Sequence, residues 1–317
     1  MSQQQRVNQL AEGMILGFLT AGMGALAIYY LPVKFLVDFV WGIPIIIILK
    51  KYDLQIGLFT LVTTFIMTLI LIPPIDSLLM FVVLAPLALT FGLLFKYEIT
   101  PGASLLTGAA VSVLSTVIAV LILLNIDPLI IMPTEQALRT QAVQSMALYA
   151  KLGLVTADEA SMYVESGIKL VRTLIPSAFA IGSLIRAFFT YILAIKVLQK
   201  LNYRVPPLPA FSDWRLPWYS VWLLITGLGM SLAGDQFRLP ALAIIGKNMV
   251  FIVFPLFLTI GTAVVAYFFK TWKISTWIKA LLGIAAAVNF SGSLVLFTLI
   301  GIFDPLVSFR KWKRPAE

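Results

Sequence analysis

Apolar residues are grouped along the chain into blocks that carry almost no charge. Most blocks are about 17 to 25 residues long, enough for an α-helix to cross a hydrocarbon layer of ~30 Å. The pattern therefore predicts an all-α, polytopic membrane helix bundle. The candidate crossings are 10–30, 35–49, 56–72, 78–95, 102–124, 176–198, 217–232, 249–269 and 280–302.

The basic residues of the short loops predict the orientation of these crossings. They fall in alternate loops, which places them on one side, and the positive-inside rule makes that side cytoplasmic together with the N-terminus. These residues are Lys50, Lys51, Lys96, Lys196, Lys200, Arg204, Arg215, Lys270, Lys273 and Lys279.

The basic tail conflicts with a count of nine crossings. Nine would put Arg310, Lys311, Lys313 and Arg314 outside. Either the tail departs from the rule or one block does not span. The short block 35–49 and the core 220–233 are the first candidates, so the chain has eight or nine transmembrane helices.

The longest polar segment, 125–175, has the periodicity of two amphipathic helices. In 134–152 apolar residues recur at three- and four-residue steps, and Thr156 and Glu159 form a capping box that opens the second helix. We expect a helical hairpin on the membrane surface, a packed element rather than a lid over a cavity. The chain then divides into 1–124, 125–175, 176–302 and an interfacial tail, 303–317.

Composition excludes several classes of protein. Apolar residues make up 60% of the chain and charged residues 12%, which rules out a soluble enzyme. The chain has no Cys and no His, so thiolate metal sites and the commonest general base are missing. We expect no enzyme, cofactor or metal. The net charge of +9 lies between the blocks and in the tail, which suits anionic lipid headgroups rather than nucleic acid.

Arg186 is the most informative polar residue inside a block. It lies about ten residues into 176–198, near mid-membrane, where an arginine costs at least ~2.5–3.5 kcal/mol. We expect it to pair inside the protein or with a ligand rather than to snorkel. The candidate partners, which with it form a candidate buried polar or ligand site, are Asp38, Asn248 and Asn289.

Small residues at four-residue spacing predict close helix packing. Gly13 and Gly17 leave one face of the first helix flat enough for another backbone to approach. Packing explains such faces better than ligand binding does.

Four stretches resemble the YybS family, bacterial multi-pass membrane proteins without an established activity. These stretches are 174–178, 206–222, 247–270 and GIFDPLVSFRK at 301–311, where the most specific residues are Gly301, Asp304 and Arg310. The resemblance implies a first half similar to the six-helix S components of energy-coupling-factor transporters, which bind vitamins and related molecules. In that case the step from Ala21 to Ala25 fits the face that docks a coupling subunit.

The tail motif favours a cap over an ion pair. Asp304 and Arg310 are six residues apart, so on a helix they do not share a face. Asp304 followed by Pro305 has the form of an N-cap and first helical residue, which predicts a short interfacial helix from Pro305. The alternative makes Asp304 or Arg310 part of a partner or solute site.

Together these features predict a non-catalytic solute-binding or transport component of the cell membrane. Its expected partners are the anionic bilayer, a small-molecule ligand, and a coupling subunit or other membrane protein. The alternative is a scaffold that recruits cytoplasmic or envelope-assembly proteins through its basic loops. An enzyme that acts on a lipid-linked substrate is a distant third.

Overall fold

The computed structural model describes residues 3–126, 135–151, 156–272 and 274–310, which are helical almost throughout and contain no strand. This confirms the all-α, multi-pass bundle. The helices are α1 (Gln3–Tyr29), α2 (Leu31–Val40), α3 (Ile43–Lys51), α4 (Leu54–Leu71), α5 (Pro74–Lys96), α6 (Pro101–Ile126), α7 (Glu135–Lys151), α8 (Ala157–Lys200), α9 (Val221–Gln236), α10 (Pro240–Thr271), α11 (Thr276–Val288) and α12 (Phe290–Val307).

Within these ranges, eight segments are long and apolar enough to cross a membrane. Helices α2 and α3 together form one of them, Leu31–Lys51, so the block 35–49 is part of a full-length span. The other seven are α1, α4, α5, α6, α10, α12 and most of α8. Helix α9, at 16 residues, is not among them.

The chain contacts separate two compact units. Unit 1 contains Met1–Ala137 and Phe179–Leu208, and unit 2 contains Leu138–Ala178 and Pro209–Glu317. Helix α8 contributes its first part to unit 2 and its second part to unit 1. Unit 1 thus holds the first five spans and the end of a sixth.

In unit 1, helices α1 and α4 pack through small residues. A methyl group added at Gly13 would meet the hydroxyl of Thr60, and one at Gly17 would meet the hydroxyl of Thr64, so the helices run in the same direction. Ala21 is fully buried. Gly13 and Gly17 therefore lie where α1 approaches α4 closely.

Helix α8 corrects one prediction. The expected second amphipathic helix and the block 176–198 are a single helix of 44 residues. It begins after the predicted capping box, in which the Thr156 amide donates to Glu159 (2.8 Å) and the Glu159 amide donates to the Thr156 hydroxyl (3.3 Å). Arg139 of α7 donates to Glu165 of α8 at 2.7 Å. The expected ends of the first amphipathic helix, Thr134 and Leu152, lie outside the described residues.

The last apolar block also differs from its prediction. Instead of crossing as one helix, 280–302 is broken at Asn289 into α11 and α12. The Asn289 side chain accepts a hydrogen bond from the Gly292 amide (3.3 Å) and so caps α12. An N-cap satisfies amides that a new helix leaves without partners, which explains a break that neither proline nor glycine marks.

Helices α10 and α12 run in the same direction. They meet where a methyl group at Gly261 would contact the Phe297 carbonyl and one at Gly301 would contact the Phe257 carbonyl. They meet again further along both segments, where the Tyr267 hydroxyl donates to the Arg310 carbonyl (3.4 Å). The first contact joins Gly261 to Gly301, and the second joins Tyr267 to Arg310, later along both segments. The two helices are therefore parallel.

The chain must therefore return through α11 before α12 begins. Its 13 residues cover about 20 Å at 1.5 Å per residue, less than the ~30 Å of a bilayer core. As a result Arg310 lies at the same end of unit 2 as Lys270.

Cysteine labelling tests this direction, because the chain has no Cys of its own. We expect Lys270→Cys and Ala316→Cys to react with a membrane-impermeant maleimide in vesicles of the same orientation. Phe237→Cys, between α9 and α10, should react only in vesicles of the opposite orientation. If Ala316→Cys reacts together with Phe237→Cys, α11 and α12 form one crossing after all.

Candidate functional site

Arg186 lies among hydroxyl groups inside unit 1. Its guanidinium donates to the Thr116 hydroxyl at 3.3 Å, and the Ser183 hydroxyl donates to the same oxygen at 2.7 Å. The Ser112 hydroxyl in turn donates to the Ser183 carbonyl at 3.0 Å. These bonds join α6 to the second part of α8. The described residues give this guanidinium one hydrogen bond, although it carries five N–H donors.

Asp38 is the acidic residue whose charge acts on Arg186. The rings of Phe39 and Phe189, each beside one of these residues in sequence, have centroids 5.1 Å apart, so α2 and α8 are neighbours here. Within the described ranges, however, neither Asp38 nor Arg186 belongs to an ion pair. The structure therefore brings α2 and α8 together near Asp38 and Arg186 without a direct bond between the two side chains.

Asn248 is not a partner of Arg186. It is buried in unit 2, where its oxygen accepts from the Ser177 amide (2.9 Å) and its nitrogen donates to the Thr173 carbonyl (2.7 Å). In a regular helix these two backbone groups would bond to each other, but Pro176 disturbs the turn between them. The amide of Asn248 replaces that bond and joins α8 to α10.

Two further sets of candidate site residues, Asn289 and the step from Ala21 to Ala25, take part in capping and packing. Asn289 is exposed and caps α12, and the described residues show no bond between it and Arg186. Ala21 is fully buried inside unit 1 and Ala25 is half-buried, which agrees with a helix-packing face, while the docking of a coupling subunit stays a prediction. Both patterns serve packing and capping within the chain.

Asp304 and Arg310 of the tail motif form an ion pair, contrary to the prediction from their six-residue spacing. Asp304 lies in the last turn of α12, and no helix begins at Pro305. The backbone turns at Ser308, which has a left-handed conformation (φ 54°), and this brings Arg310 back to Asp304 at 3.4 Å. Phe309 and Arg310 precede the tail residues 311–317, which lie outside the described ranges.

Arg310 joins the segment 212–214 to the end of α12 through hydrogen bonds. It is 2% exposed and donates to the carbonyls of Ser212 (2.6 Å) and Trp214 (2.7 Å). Burial lowers the pKa of Arg310, and the negative charge of Asp304 opposes this shift. Because both carbonyls and the carboxylate belong to the chain itself, Arg310 has a structural role.

Sequence reasoning missed the hydroxyl groups around Arg186. Ser183, Arg186 and Thr190 follow the spacing of one helix face, a signal that the sequence does contain. It also missed an ionic cluster at one end of unit 1, where Lys51 and Tyr52 both bond to Glu12, at 2.7 and 2.6 Å. The hydrogen bond to Glu12 raises the pKa of Tyr52.

The architecture defines the chain as a polytopic helical membrane protein whose unit 1 contains an arginine among hydroxyl groups. The chain belongs to the predicted membrane protein family DUF2232, whose family model matches residues 18–305. No curated protein and no solved structure matches it.

The role of Asn248 is tested by replacing it with leucine, which neither donates nor accepts a hydrogen bond. The Ser177 amide then loses its partner, and a buried unsatisfied group costs about 1–3 kcal/mol. We expect a lower unfolding temperature and faster hydrogen exchange at Ser177 in detergent. Asn125→Leu, a change at an exposed asparagine that bonds within its own helix, is the control. Unchanged exchange at Ser177 would contradict the assignment.

Proposed function

We propose that this protein is a non-catalytic solute-binding or transport component of the bacterial cell membrane, with its N-terminus in the cytoplasm. The observation that carries the proposal is Arg186, a charged residue within a membrane span to which the described residues give a single hydrogen bond. A charge in that position requires a counterpart, and a solute with an oxygen-rich, anionic group supplies one.

The organisation of unit 1 supports this proposal. It gathers five complete spans and the second part of α8. This is in keeping with the resemblance to the YybS family and with the six-helix S components that the resemblance implies. Ligand sites of membrane bundles are built from polar side chains on facing helices, as Ser112, Thr116 and Ser183 are here.

The proposal is tested by what co-purifies with the protein. Wild-type protein and Arg186→Met are expressed identically, placed in lipid nanodiscs and analysed by native mass spectrometry for small molecules. We expect the wild type to retain a solute that the variant lacks. Lys200→Met removes an exposed positive charge from the end of the same helix and should leave the solute in place.

An empty wild-type bundle would contradict the proposal. Affinity purification under the same conditions then gives the alternative. A cell-division or envelope-assembly protein that co-purifies with an empty bundle would support a scaffold. A solute retained equally by Arg186→Met would show that binding does not depend on this arginine.

A further inference from the structure

Thr190 differs from the other buried threonines of the described chain. Six of them, Thr20, Thr60, Thr64, Thr68, Thr116 and Thr298, donate a hydrogen bond to the carbonyl four residues earlier in their own helix. Thr190 is 3% exposed and has no hydrogen-bond partner within the described ranges. An unpaired buried hydroxyl is costly, which raises the question of what it binds.

Thr190 lies on the same face of α8 as Arg186. It follows Arg186 by four residues and Ser183 by seven, which is the spacing of one helical stripe. Ser183 and Arg186 both bond to Thr116. This stripe of α8 therefore carries a hydroxyl without a partner and a guanidinium with most of its donors unused.

Asp38 adds a negative charge beside this stripe. It is half-buried, and the positive charges that act on it are those of Arg186 and Lys34. Within the described ranges Asp38 and Arg186 form no ion pair with each other, so each can pair with a charged group of a ligand. A purely anionic solute would meet repulsion from Asp38, and a purely cationic one would meet repulsion from Arg186.

We propose that unit 1 binds a small zwitterion between Asp38 and Arg186, an inference that rests on the proposed function. The carboxylate of the solute accepts hydrogen bonds from Arg186 and Thr190. Its ammonium group donates to Asp38. The chemical class is an amino acid or another molecule with one carboxylate and one nearby amine, because that pair of groups supplies both counter-charges at once.

The test uses defined probes with wild-type protein in nanodiscs. The probes are the twenty protein amino acids, their N-acetyl derivatives, which lack the positive charge, and their amides, which lack the carboxylate. Binding is measured as a concentration-dependent rise in unfolding temperature. We expect at least one amino acid to stabilise the protein and its two derivatives to bind at least about tenfold more weakly, which corresponds to ~1.4 kcal/mol.

Three variants and a control locate the site. Arg186→Met, Asp38→Asn and Thr190→Val should each weaken binding of that amino acid. Thr298→Val removes a hydroxyl that is bonded within its own helix in unit 2, so it should leave binding unchanged. Equal effects of Thr190→Val and Thr298→Val would remove Thr190 from the site.

The outcomes separate this inference from the proposed function. If an N-acetyl derivative binds as well as the free amino acid, the zwitterion is wrong while an anion-binding unit 1 stands. If no probe binds but the wild type retains a solute of another class, the inference alone fails. If no probe binds and the wild type is empty, both fail.

Discussion

The constraint on which this structure depends is the cost of an unpaired polar group where no water is available. Most buried threonines satisfy it within their own helix, as Thr60 and Thr64 do. At Pro176, where the helix cannot satisfy its own backbone, the amide of Asn248 does so from α10. Arg310 donates to two carbonyls and pairs with Asp304, while its Nε and the Asp304 Oδ1 have no partner among the described residues. The bonds of Asn248 and Arg310 connect separate segments of the bundle, and they give partners to polar groups that would otherwise be buried without one.

Against that background Arg186 is an exception with a functional meaning. Among the described residues it donates one hydrogen bond, to the neutral Thr116 hydroxyl, and it forms no ion pair with Asp38. Arg310, by contrast, pairs with Asp304 and donates to two backbone carbonyls, whereas the described residues give no such partners to Arg186. We therefore interpret its unused donors as the binding side of a solute site in unit 1.

Sequence alone was sufficient for features that depend on local pattern: the apolar spans, the Thr156 capping box and the unusual depth of Arg186. It was insufficient where distant backbone supplies the partner. Asn248 bonds to backbone groups of another helix, which no side-chain pattern marks. Helical spacing separates Asp304 from Arg310, but the left-handed turn at Ser308 ends the helix between them. The direction of α12 likewise depends on a cap at Asn289 inside an otherwise uniform apolar block.

The most direct test of the central claim is a density map of the wild-type protein in lipid nanodiscs, obtained by single-particle cryo-electron microscopy without added ligand. The account predicts that the Arg186 side chain lies beside Thr116 and Ser183, with non-protein density between its guanidinium and Asp38. An Arg186 side chain extended to the lipid headgroups, with no such density, would contradict it.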